Sequence, residues 1–318
     1  MRLCRLISDT NQVQLGFFYN DYVVPAAAVH EMLRTAAYGT APLLPPPHDN
    51  PLKYLPPNWD NYRLLNYLAT MADTLGDEED LQVPLENVYF DTPVPMPNKV
   101  ICLAGNYAEH IAESGGKAVK KEETFPFFFM KPPSTTIRAS GTAVALPATS
   151  PDFIDWEVEL VAVIGSYVKD ISPEQARDII AGYTIGLDMS NRRLRLNPKR
   201  VQQDRTAYHE WLCGKWHDGF APIGPCIVAA DDEFDPMNRA ISLAVNGEVM
   251  QDSNTKNMVF NVYELVSYAS KIMTLEPGDL IMTGTPSGVG DARGRYLKSE
   301  DHIEASIEGI GTLEVQIV

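Results

Sequence analysis

Two glutamates separated by a single residue, Glu157 and Glu159, interrupt an apolar stretch, residues 154–165, that is otherwise typical of a buried β-strand. Because side chains alternate between the two faces of a strand, both carboxylates point the same way, together with Asp155. Like charges held side by side repel each other, and a divalent cation removes that repulsion. Carboxylate oxygens are hard ligands that suit Mg²⁺, Mn²⁺ or Ca²⁺. We therefore interpret this segment as half of a metal site.

A third ligand is expected from a neighbouring strand. Residues 181–190 form an apolar run that contains Asp188 near its end, and this acid is our candidate. Alone, Asp188 would be interpreted as a helix cap or a turn residue, but beside Glu157 and Glu159 that interpretation is less favoured. A solvent-facing sheet could also carry the two glutamates, yet the run Val161–Ile164 is too apolar for an exposed edge. The three acids together favour a metal centre.

A histidine and a glutamate three residues apart, His110 and Glu113, could supply a general base. On a helical turn they share a face, so the carboxylate can orient the imidazole and raise its basicity. From the residues alone, an ordinary surface pair is the more common explanation, because histidine and glutamate often occur at this spacing.

The elements that must position these residues fall into two regions. The first region is predicted to contain short strands at 2–8, 14–19 and 22–25, a proline-rich loop at 42–57, and one helix capped by Asp60. An acidic turn at 77–80 and a proline-spaced stretch at 84–97 are typical of a linker. We expect a small N-terminal α+β domain over residues 1–95 and a second domain over residues 96–318.

The second region is predicted to consist mostly of strands. Two helices interrupt them: one begins after the N-cap Ser172 and runs to Ile180, and the other covers residues 262–273. Asn246 and Gly247, between two apolar segments, indicate a β-hairpin. Strands are expected at 100–104, 125–130, 157–164, 183–187, 226–229, 241–250, 280–283, 303–307 and 312–317.

Several motifs occur in a fixed order along this second region. They are Asn106–Glu113, Lys131–Ser134, Asp155–Leu160, Gly214–Lys215 followed by Asp218–Pro225, and Gly278–Gly290. Any one of them is weak evidence, but together they resemble the fumarylacetoacetate hydrolase family, from about Pro97 to Val318. The resemblance implies an α+β, β-rich fold, in which a mixed, rolled β-sheet domain houses the metal and a small α+β domain precedes it.

The resemblance also assigns roles that the residues alone leave open. It makes His110 and Glu113 a catalytic dyad on a segment that orders over the bound substrate, with the glycine-rich residues 114–117 as a lid. It implies that Lys215 stabilises negative charge developing on oxygen, where a surface lysine would be the ordinary explanation. At 283–286, Gly284 and Thr285 would bind the substrate carboxylate, although the same residues also make a glycine–proline turn.

A basic stretch follows Asp188. Arg192 is expected to bind a substrate carboxylate or to form a structural ion pair, whereas residues 199–205 are expected to be a solvated face or an oligomer contact. Where the family often has Ser-x-Arg-Asp-x-Gln, this chain retains Arg192 but has Arg193 in place of the acid and Arg195 in place of the amide. The added charge at Arg195 predicts a substrate with a second carboxylate, such as maleylpyruvate or fumarylpyruvate.

These residues together predict a metal-dependent hydrolase that cleaves a carbon–carbon bond in a 2,4-dioxo acid and releases pyruvate and a carboxylic acid. Mg²⁺ or Mn²⁺ would bind the carboxylate and keto oxygens of this small oxo acid, His110 would deprotonate water, and Lys215 would stabilise the oxyanion. Without water activation, the same site could serve keto–enol isomerisation or decarboxylation of oxaloacetate or a longer oxo-diacid. A binding protein without activity is the least favoured alternative, because every residue of the constellation is present.

Composition limits the other partners. A formal net charge of −16 over 318 residues argues against nucleic acid as a partner, since phosphate binding depends on lysine and arginine. Four widely spaced cysteines argue against a disulfide framework or a zinc site. No apolar run approaches the length of a membrane span, and the N-terminus turns polar at Asp9, so we expect a cytoplasmic chain without a membrane partner. The family resemblance suggests a homodimer.

Overall fold

The computed structural model describes residues 1–36, 47–75, 81–113, 115–117, 120–231 and 233–318. The predicted acidic turn at 77–80 and part of the proline-rich loop lie outside these residues. In the part of the chain that is described, no helix combines the length and apolar character needed to cross a membrane. The described α-helices are α1 Ala26–Ala36, α2 Trp59–Leu75, α3 Ala108–Glu113, α4 Pro133–Thr136, α5 Pro173–Arg177, α6 Thr206–Cys213, α7 Val262–Ile272 and α8 Gly290–Arg293.

Strands dominate the described chain and form one large sheet, one five-stranded sheet and one isolated pair. The strands are β1 Arg2–Ile7, β2 Val13–Phe18, β3 Tyr22–Pro25, β4 Val83–Pro84, β5 Tyr89–Asp91, β6 Val100–Ala104, β7 Phe127–Lys131, β8 Ile137–Ala139, β9 Thr142–Val144, β10 Ile154–Asp155, β11 Val158–Ile164, β12 Ile180–Leu187, β13 Ser190–Asn191, β14 Ala221–Ala229, β15 Ala240–Val245, β16 Glu248–Asn254, β17 Leu280–Met282, β18 His302–Ile307 and β19 Gly311–Ile317.

The large sheet runs in the order β4-β3-β2-β1-β14-β12-β11-β17-β6-β7, with β5 beside β1 and β8 beside β14. The second sheet runs β16-β15-β18-β19-β9, and β10 pairs with β13. Most neighbours are antiparallel, whereas β17 with β6, β14 with β8, and β19 with β9 are parallel. The predicted fold class, α+β and rich in mixed β-sheet, is confirmed.

Strand β11 lies deep inside the large sheet and is buried on both faces. Val158, Leu160 and Ala162 pack into one apolar cluster, whereas Val161 and Val163 pack into another on the opposite face. β12 and β17 flank it on either side. The predicted burial of this strand is therefore confirmed, and the glutamates at its start are held where water is largely excluded.

The N-terminal strands extend the same sheet rather than forming a separate one. β1 pairs antiparallel with β14, so that Arg2 lies opposite Val228 and Leu3 opposite Ile227. Phe17 of β2 packs in the same apolar cluster as residues of β11. The division of the chain near residue 95 stays a prediction, and the strand pairing crosses it.

Three sequence expectations about helices were wrong. Helix α5 ends at Arg177, not at Ile180, because Ile180 already begins β12. Asp60 lies in the first turn of α2, which begins at Trp59, and so it is not the residue that precedes the helix. Helices α1 and α6 were not predicted. The hairpin at Asn246 and Gly247 is confirmed: both residues have positive φ and join β15 to β16.

Candidate active site

The three predicted metal ligands converge because two neighbouring strands bring their ends together. β11 and β12 are antiparallel, with Val158 opposite Leu187, and the amide of Asp188 donates a hydrogen bond to the carbonyl of Glu157 (2.9 Å). Asp188 therefore lies beside the start of β11. One carboxylate oxygen each from Glu157, Glu159 and Asp188 lies within 4.8 Å of the other two, and all three side chains are buried. Their role as metal ligands stays a prediction.

Two basic side chains neutralise part of this acidic cluster. The Nζ atom of Lys215 donates to Glu157 Oε2 (2.8 Å) and to Asp188 Oδ2 (2.6 Å). Arg192 donates from Nε to Asp155 Oδ2 (2.7 Å) and from its other end to Glu157 Oε1. Burial alone would raise the pKa of Glu157, but Arg192 and Lys215 outweigh it and hold this pKa below its ordinary value. Glu157 is therefore ionised at neutral pH.

Glu159 lacks such a partner. Its Oε2 accepts a hydrogen bond from the amide of Gly284 (2.8 Å), and among the described residues no lysine or arginine forms an ion pair with it. Burial first, and then the charges of Asp188 and Glu157, raise the pKa of Glu159 well above its ordinary value. A divalent cation would supply the missing positive charge, and three carboxylates form a donor set that such cations prefer. The residues present therefore fit a bound divalent metal.

Lys131 completes the cluster, although its residue type and position in the sequence predicted no role for it. Its buried Nζ atom lies 2.7 Å from Asp188 Oδ1 and donates to the carbonyls of Met189 (2.8 Å) and Phe220 (2.7 Å). The ammonium group therefore donates to two buried carbonyls and forms an ion pair with the Asp188 carboxylate. Burial, the largest influence, lowers the pKa of Lys131. The available signal was a lysine at the end of an apolar strand, where a charge needs buried partners.

His110 of the predicted catalytic dyad lines the same small cavity as the acids, whereas Glu113 is not among the lining residues. His110 Nδ1 lies 2.8 Å from Glu113 Oε1 on helix α3. In the tautomer in which Nδ1 donates to Glu113, Nε2 of the neutral imidazole carries no proton and can accept one. The cavity has a volume of about 70 Å³, and the predicted site residues that line it are His110, Glu157, Glu159, Asp188, Arg192, Lys215 and Thr285.

The glycine-rich loop at 283–291 orients three acids of the site through its backbone. The amide of Gly284 donates to Glu159, that of Gly288 to Glu113 (2.8 Å), and that of Gly290 to Asp155 (2.6 Å). Gly284 has a φ of +92°, and a Cβ atom there would lie 2.7 Å from Cβ of Asn106. Only glycine fits this position. Through its amides, the loop connects the presumed metal ligand Glu159 with Glu113 of the dyad.

The arginines after Asp188 do not share one location. Arg192 lines the cavity, but its guanidinium group is held by Asp155 and Glu157, so the ion-pair alternative is the one that the structure displays. Arg195 is exposed and is not among the residues that line the cavity; its backbone amide donates to Ser150 Oγ (3.2 Å). Arg193 lies over the ring of Phe153. The extra positive charge therefore lies outside the cavity itself.

Comparison with known proteins now decides the family. The sequence model of the fumarylacetoacetate (FAA) hydrolase C-terminal domain matches residues 99–318 of this chain. The chain belongs to the fumarylacetoacetate hydrolase family. The match begins close to the point where the sequence resemblance begins, and it includes every residue of the cavity described above.

Relatives within the fumarylacetoacetate hydrolase family carry different activities in their names. The mitochondrial oxaloacetate tautomerase Fahd2a of Rattus norvegicus is 37% identical, over 74% of this chain and 71% of the relative. The fumarylpyruvate hydrolase of Pseudomonas aeruginosa, solved with Mn²⁺ and pyruvate, is 36% identical over 71% of this chain and 91% of that chain, with a TM-score of 0.60. The 5-carboxymethyl-2-hydroxymuconate delta-isomerase of Mycobacterium smegmatis is 30% identical, covers 100% of this chain and 98% of its own, and has a TM-score of 0.67.

Proposed function

We propose that this protein is a divalent-metal-dependent hydrolase that cleaves a carbon–carbon bond of a 2,4-dioxo acid, releasing pyruvate and a carboxylic acid. The observation that carries the proposal is the His110–Glu113 pair, bonded at 2.8 Å, in which His110 lines the same cavity as the acidic cluster. An isomerase has no need to activate water, whereas a hydrolase does. Similarity to a fumarylpyruvate hydrolase solved with Mn²⁺ and pyruvate supports this choice of substrate class.

Glu157, Glu159 and Asp188 would hold the cation, for which Mg²⁺ and Mn²⁺ are the candidates. When bound, such a cation polarises a carbonyl oxygen and stabilises negative charge on it. Lys131 holds Asp188 through Oδ1, and the amide of Gly284 holds Glu159 through Oε2. The ligand carboxylates are thus oriented by the protein itself.

The remaining residues would move protons and stabilise charge. Nε2 of His110 takes a proton from water as its oxygen bonds to the distal carbonyl carbon, and Glu113 stabilises the imidazolium that forms. Lys215 stabilises the developing oxyanion. The bond from the distal carbonyl carbon to the adjacent carbon then breaks, leaving a carboxylic acid and the enolate of pyruvate. The enolate then takes up on carbon the proton that His110 removed from water, and Gly284 and Thr285 bind the carboxylate throughout.

The test is an assay after chelation and addition of Mg²⁺ or Mn²⁺, with acylpyruvates and fumarylpyruvate as substrates. We expect equal amounts of pyruvate and the matching carboxylic acid, with no product before the metal is added. His110→Ala should lower kcat by about 10²- to 10⁴-fold, the usual contribution of a general base. Wild-type turnover that survives chelation, or full activity in His110→Ala, would contradict the proposal.

Tautomerisation of oxaloacetate is the second candidate, and its supporting observation is the 37% identity to the rat oxaloacetate tautomerase. Decay of the oxaloacetate enol, followed with the same metal additions, measures this activity. Enol decay without any pyruvate from the 2,4-dioxo acids would favour the tautomerase. Release of CO₂ from oxaloacetate would favour a decarboxylase.

Three finer expectations stay predictions. A preference for substrates with a second carboxylate rests on Arg195, and Arg195→Gln should then weaken turnover of diacids more than that of monoacids. Equal effects on both substrate types would exclude this role. A cytoplasmic location and a homodimer are the other two. The lid expected at 114–117 also stays a prediction, since Ser114 lies outside the described residues.

A further inference from the structure

Gln251 links the two sheets at the site, although it belongs to β16 of the five-stranded sheet. In the pairing of β15 with β16, Leu243 lies opposite Gln251 and Ala244 lies opposite Val249, so Met250 is an extra, bulged residue. The bulge turns two successive side chains, Met250 and Gln251, into the interior, and Gln251 is 0% exposed. A buried amide needs partners for all of its polar atoms.

The partners of Gln251 lie on both halves of the site. Its Oε1 accepts a hydrogen bond from the amide of Val158 (3.1 Å), the residue between Glu157 and Glu159. Its Nε2 donates to Thr285 Oγ1 (2.8 Å) and to the carbonyl of Pro286 (2.8 Å). One side chain therefore connects the presumed metal ligands with the loop that carries Thr285. Close approach of this loop to β16 requires glycine at Gly288, where a Cβ atom would lie 2.1 Å from the carbonyl oxygen of Met250.

The backbone partners fix which way the amide of Gln251 faces. A peptide N–H can only donate, so the atom facing Val158 must be the oxygen. A peptide carbonyl can only accept, so the atom facing Pro286 must be the nitrogen. Thr285 Oγ1 lies on the nitrogen side and must accept a hydrogen bond from it. Its own proton is then left for another acceptor, and among the described residues none is bound to it.

Thr285 lines the cavity together with the three acids. We propose that Gln251 is a positioning residue that fixes the Thr285 hydroxyl as a hydrogen-bond donor to the carboxylate of a 2-oxo acid. Anionic oxygens accept such a bond, whereas a ligand group that is only a donor finds no acceptor there. The proposal rests on the proposed function only in its class of ligand, a 2-oxo carboxylate, and is independent of the bond that is cleaved.

A double-mutant cycle on the full chain tests this role. Pyruvate binding to the Mn²⁺-loaded protein is measured by calorimetry for wild type, Gln251→Met, Thr285→Val and the double variant. Gln251→Met should raise the Kd for pyruvate by about 5-fold, the size of one ordinary hydrogen bond. Thr285→Val should raise it by about 10-fold or more, because the lost bond is to a charged group. In the Thr285→Val background, Gln251→Met should add less than about 2-fold, because the hydroxyl through which it acts is already absent.

Thr283→Val is the matched control. Thr283 lies in the same loop, but its hydroxyl donates to the carbonyl of Leu160 (2.9 Å). In that background, Gln251→Met should again cost about 5-fold. Thr285→Ser, which keeps the hydroxyl, should bind pyruvate within about 3-fold of wild type. Thermal unfolding and Mn²⁺ titration of each variant establish that fold and metal affinity are retained.

The outcomes separate this inference from the proposed function. Equal effects of Gln251→Met with and without the Thr285 hydroxyl would overturn the positioning role and leave the proposed function intact. Coupling between the two residues in a protein that cleaves no 2,4-dioxo acid would support the positioning role and overturn the hydrolase. Failure of the wild-type, Mn²⁺-loaded protein to bind pyruvate would overturn both.

Discussion

At the scale of single residues, the site is a set of buried charges that is one positive charge short. Asp155, Glu157 and Asp188 are paired with Arg192, Lys215 and Lys131. Glu159 alone receives only a backbone amide. A buried charge without a partner is costly, and in this position the cost favours binding of a cation.

Glu159→Gln should therefore have opposite effects on stability and on metal binding. Folding raises the pKa of Glu159 above 4.5, the ordinary value that it has in the unfolded chain. The stability of the metal-free protein therefore falls as the pH rises above 4.5, and this loss is absent at lower pH. The variant removes this loss, so its Tm at neutral pH should exceed that of the metal-free wild type by about 2 °C or more. Its Kd for Mn²⁺ should rise by more than about 100-fold, since even changes in outer-shell partners cost about 10- to 100-fold.

Thermal unfolding against pH and calorimetric Mn²⁺ titration measure the two effects. Glu304→Gln, at a strand glutamate of β18 in the second sheet, should change neither. A metal-free Glu159→Gln protein that is less stable than wild type at neutral pH would contradict the charge imbalance.

Lys131→Met tests the contribution of a buried positive charge to the same cluster. The substitution leaves Asp188 with Lys215 as its one remaining cation among the described residues and leaves two buried carbonyls without their donor, so the free energy of unfolding should fall by about 3–5 kcal/mol. Lys169 offers a matched control, because it also donates to two carbonyls but lies at the surface. Lys169→Met should cost no more than about 0.5 kcal/mol. Similar costs in denaturant unfolding of the two variants would show that the contacts of Lys131 contribute little.

At the scale of elements, the loop at 283–291 connects the parts of the site. It follows β17, which lies beside β11, and its amides donate to acids of β11, helix α3 and β10. Positive φ at Gly284 and Gly288 allows the turns that aim these amides. The loop therefore keeps the dyad and the acidic cluster at a constant separation.

Gly284→Ala should damage both stability and metal binding. The new methyl group would lie 2.7 Å from Cβ of Asn106, at a φ of +92°, and would displace the amide that holds Glu159. We expect a loss of about 1–3 kcal/mol in the free energy of unfolding. We also expect about 10-fold or weaker Mn²⁺ binding.

Gly294→Ala is the matched control for this loop. Its φ is also positive, +65°, but no atom lies within 4 Å of the added Cβ. In Gly294→Ala the free energy of unfolding should fall by only about 1 kcal/mol, the strain of a left-handed backbone at alanine. Its Mn²⁺ affinity should equal that of the wild type. Equal loss of metal affinity in both variants, measured by calorimetry, would argue against the role of the Gly284 amide.

At the scale of the whole molecule, the first strands complete the sheet that carries the site. β1 covers the edge of β14, and Leu3, Phe17 and Val24 share an apolar cluster with Val161 and Val163 of β11. The acids at the start of β11 therefore depend on packing that reaches the N-terminus of the chain.

A fragment of residues 96–318 should fold poorly for this reason. Without β1, the edge of β14 at Ile227 and Val228 is unpaired and part of an apolar face is exposed, so the fragment should aggregate or melt at least about 5 °C below the full chain. Size-exclusion chromatography and thermal unfolding measure this, and co-expression with residues 1–95 should restore the wild-type Tm. A soluble fragment with the Tm of the full chain would show that residues 96–318 fold independently.

The amino-acid sequence by itself determined the features that depend on local pattern. Alternation along one strand placed Glu157 and Glu159 on a single face. The pair Asn246–Gly247 specified a hairpin, because both residues readily adopt the positive φ that its turn requires. The ordered motifs sufficed for the family, which the match over residues 99–318 confirms.

Tertiary structure alone decided which distant residues meet. Lys131 reaches Asp188 from 57 positions away in the chain, and no local period encodes that contact. Gln251 enters the core only because a bulge at Met250 breaks the alternation that would turn it outward. Arg195 follows Arg192 by three residues, yet it lies in solvent because the chain leaves the sheet after β13. The residues of the site meet through contacts between distant parts of the chain, which neither composition nor local sequence pattern specifies.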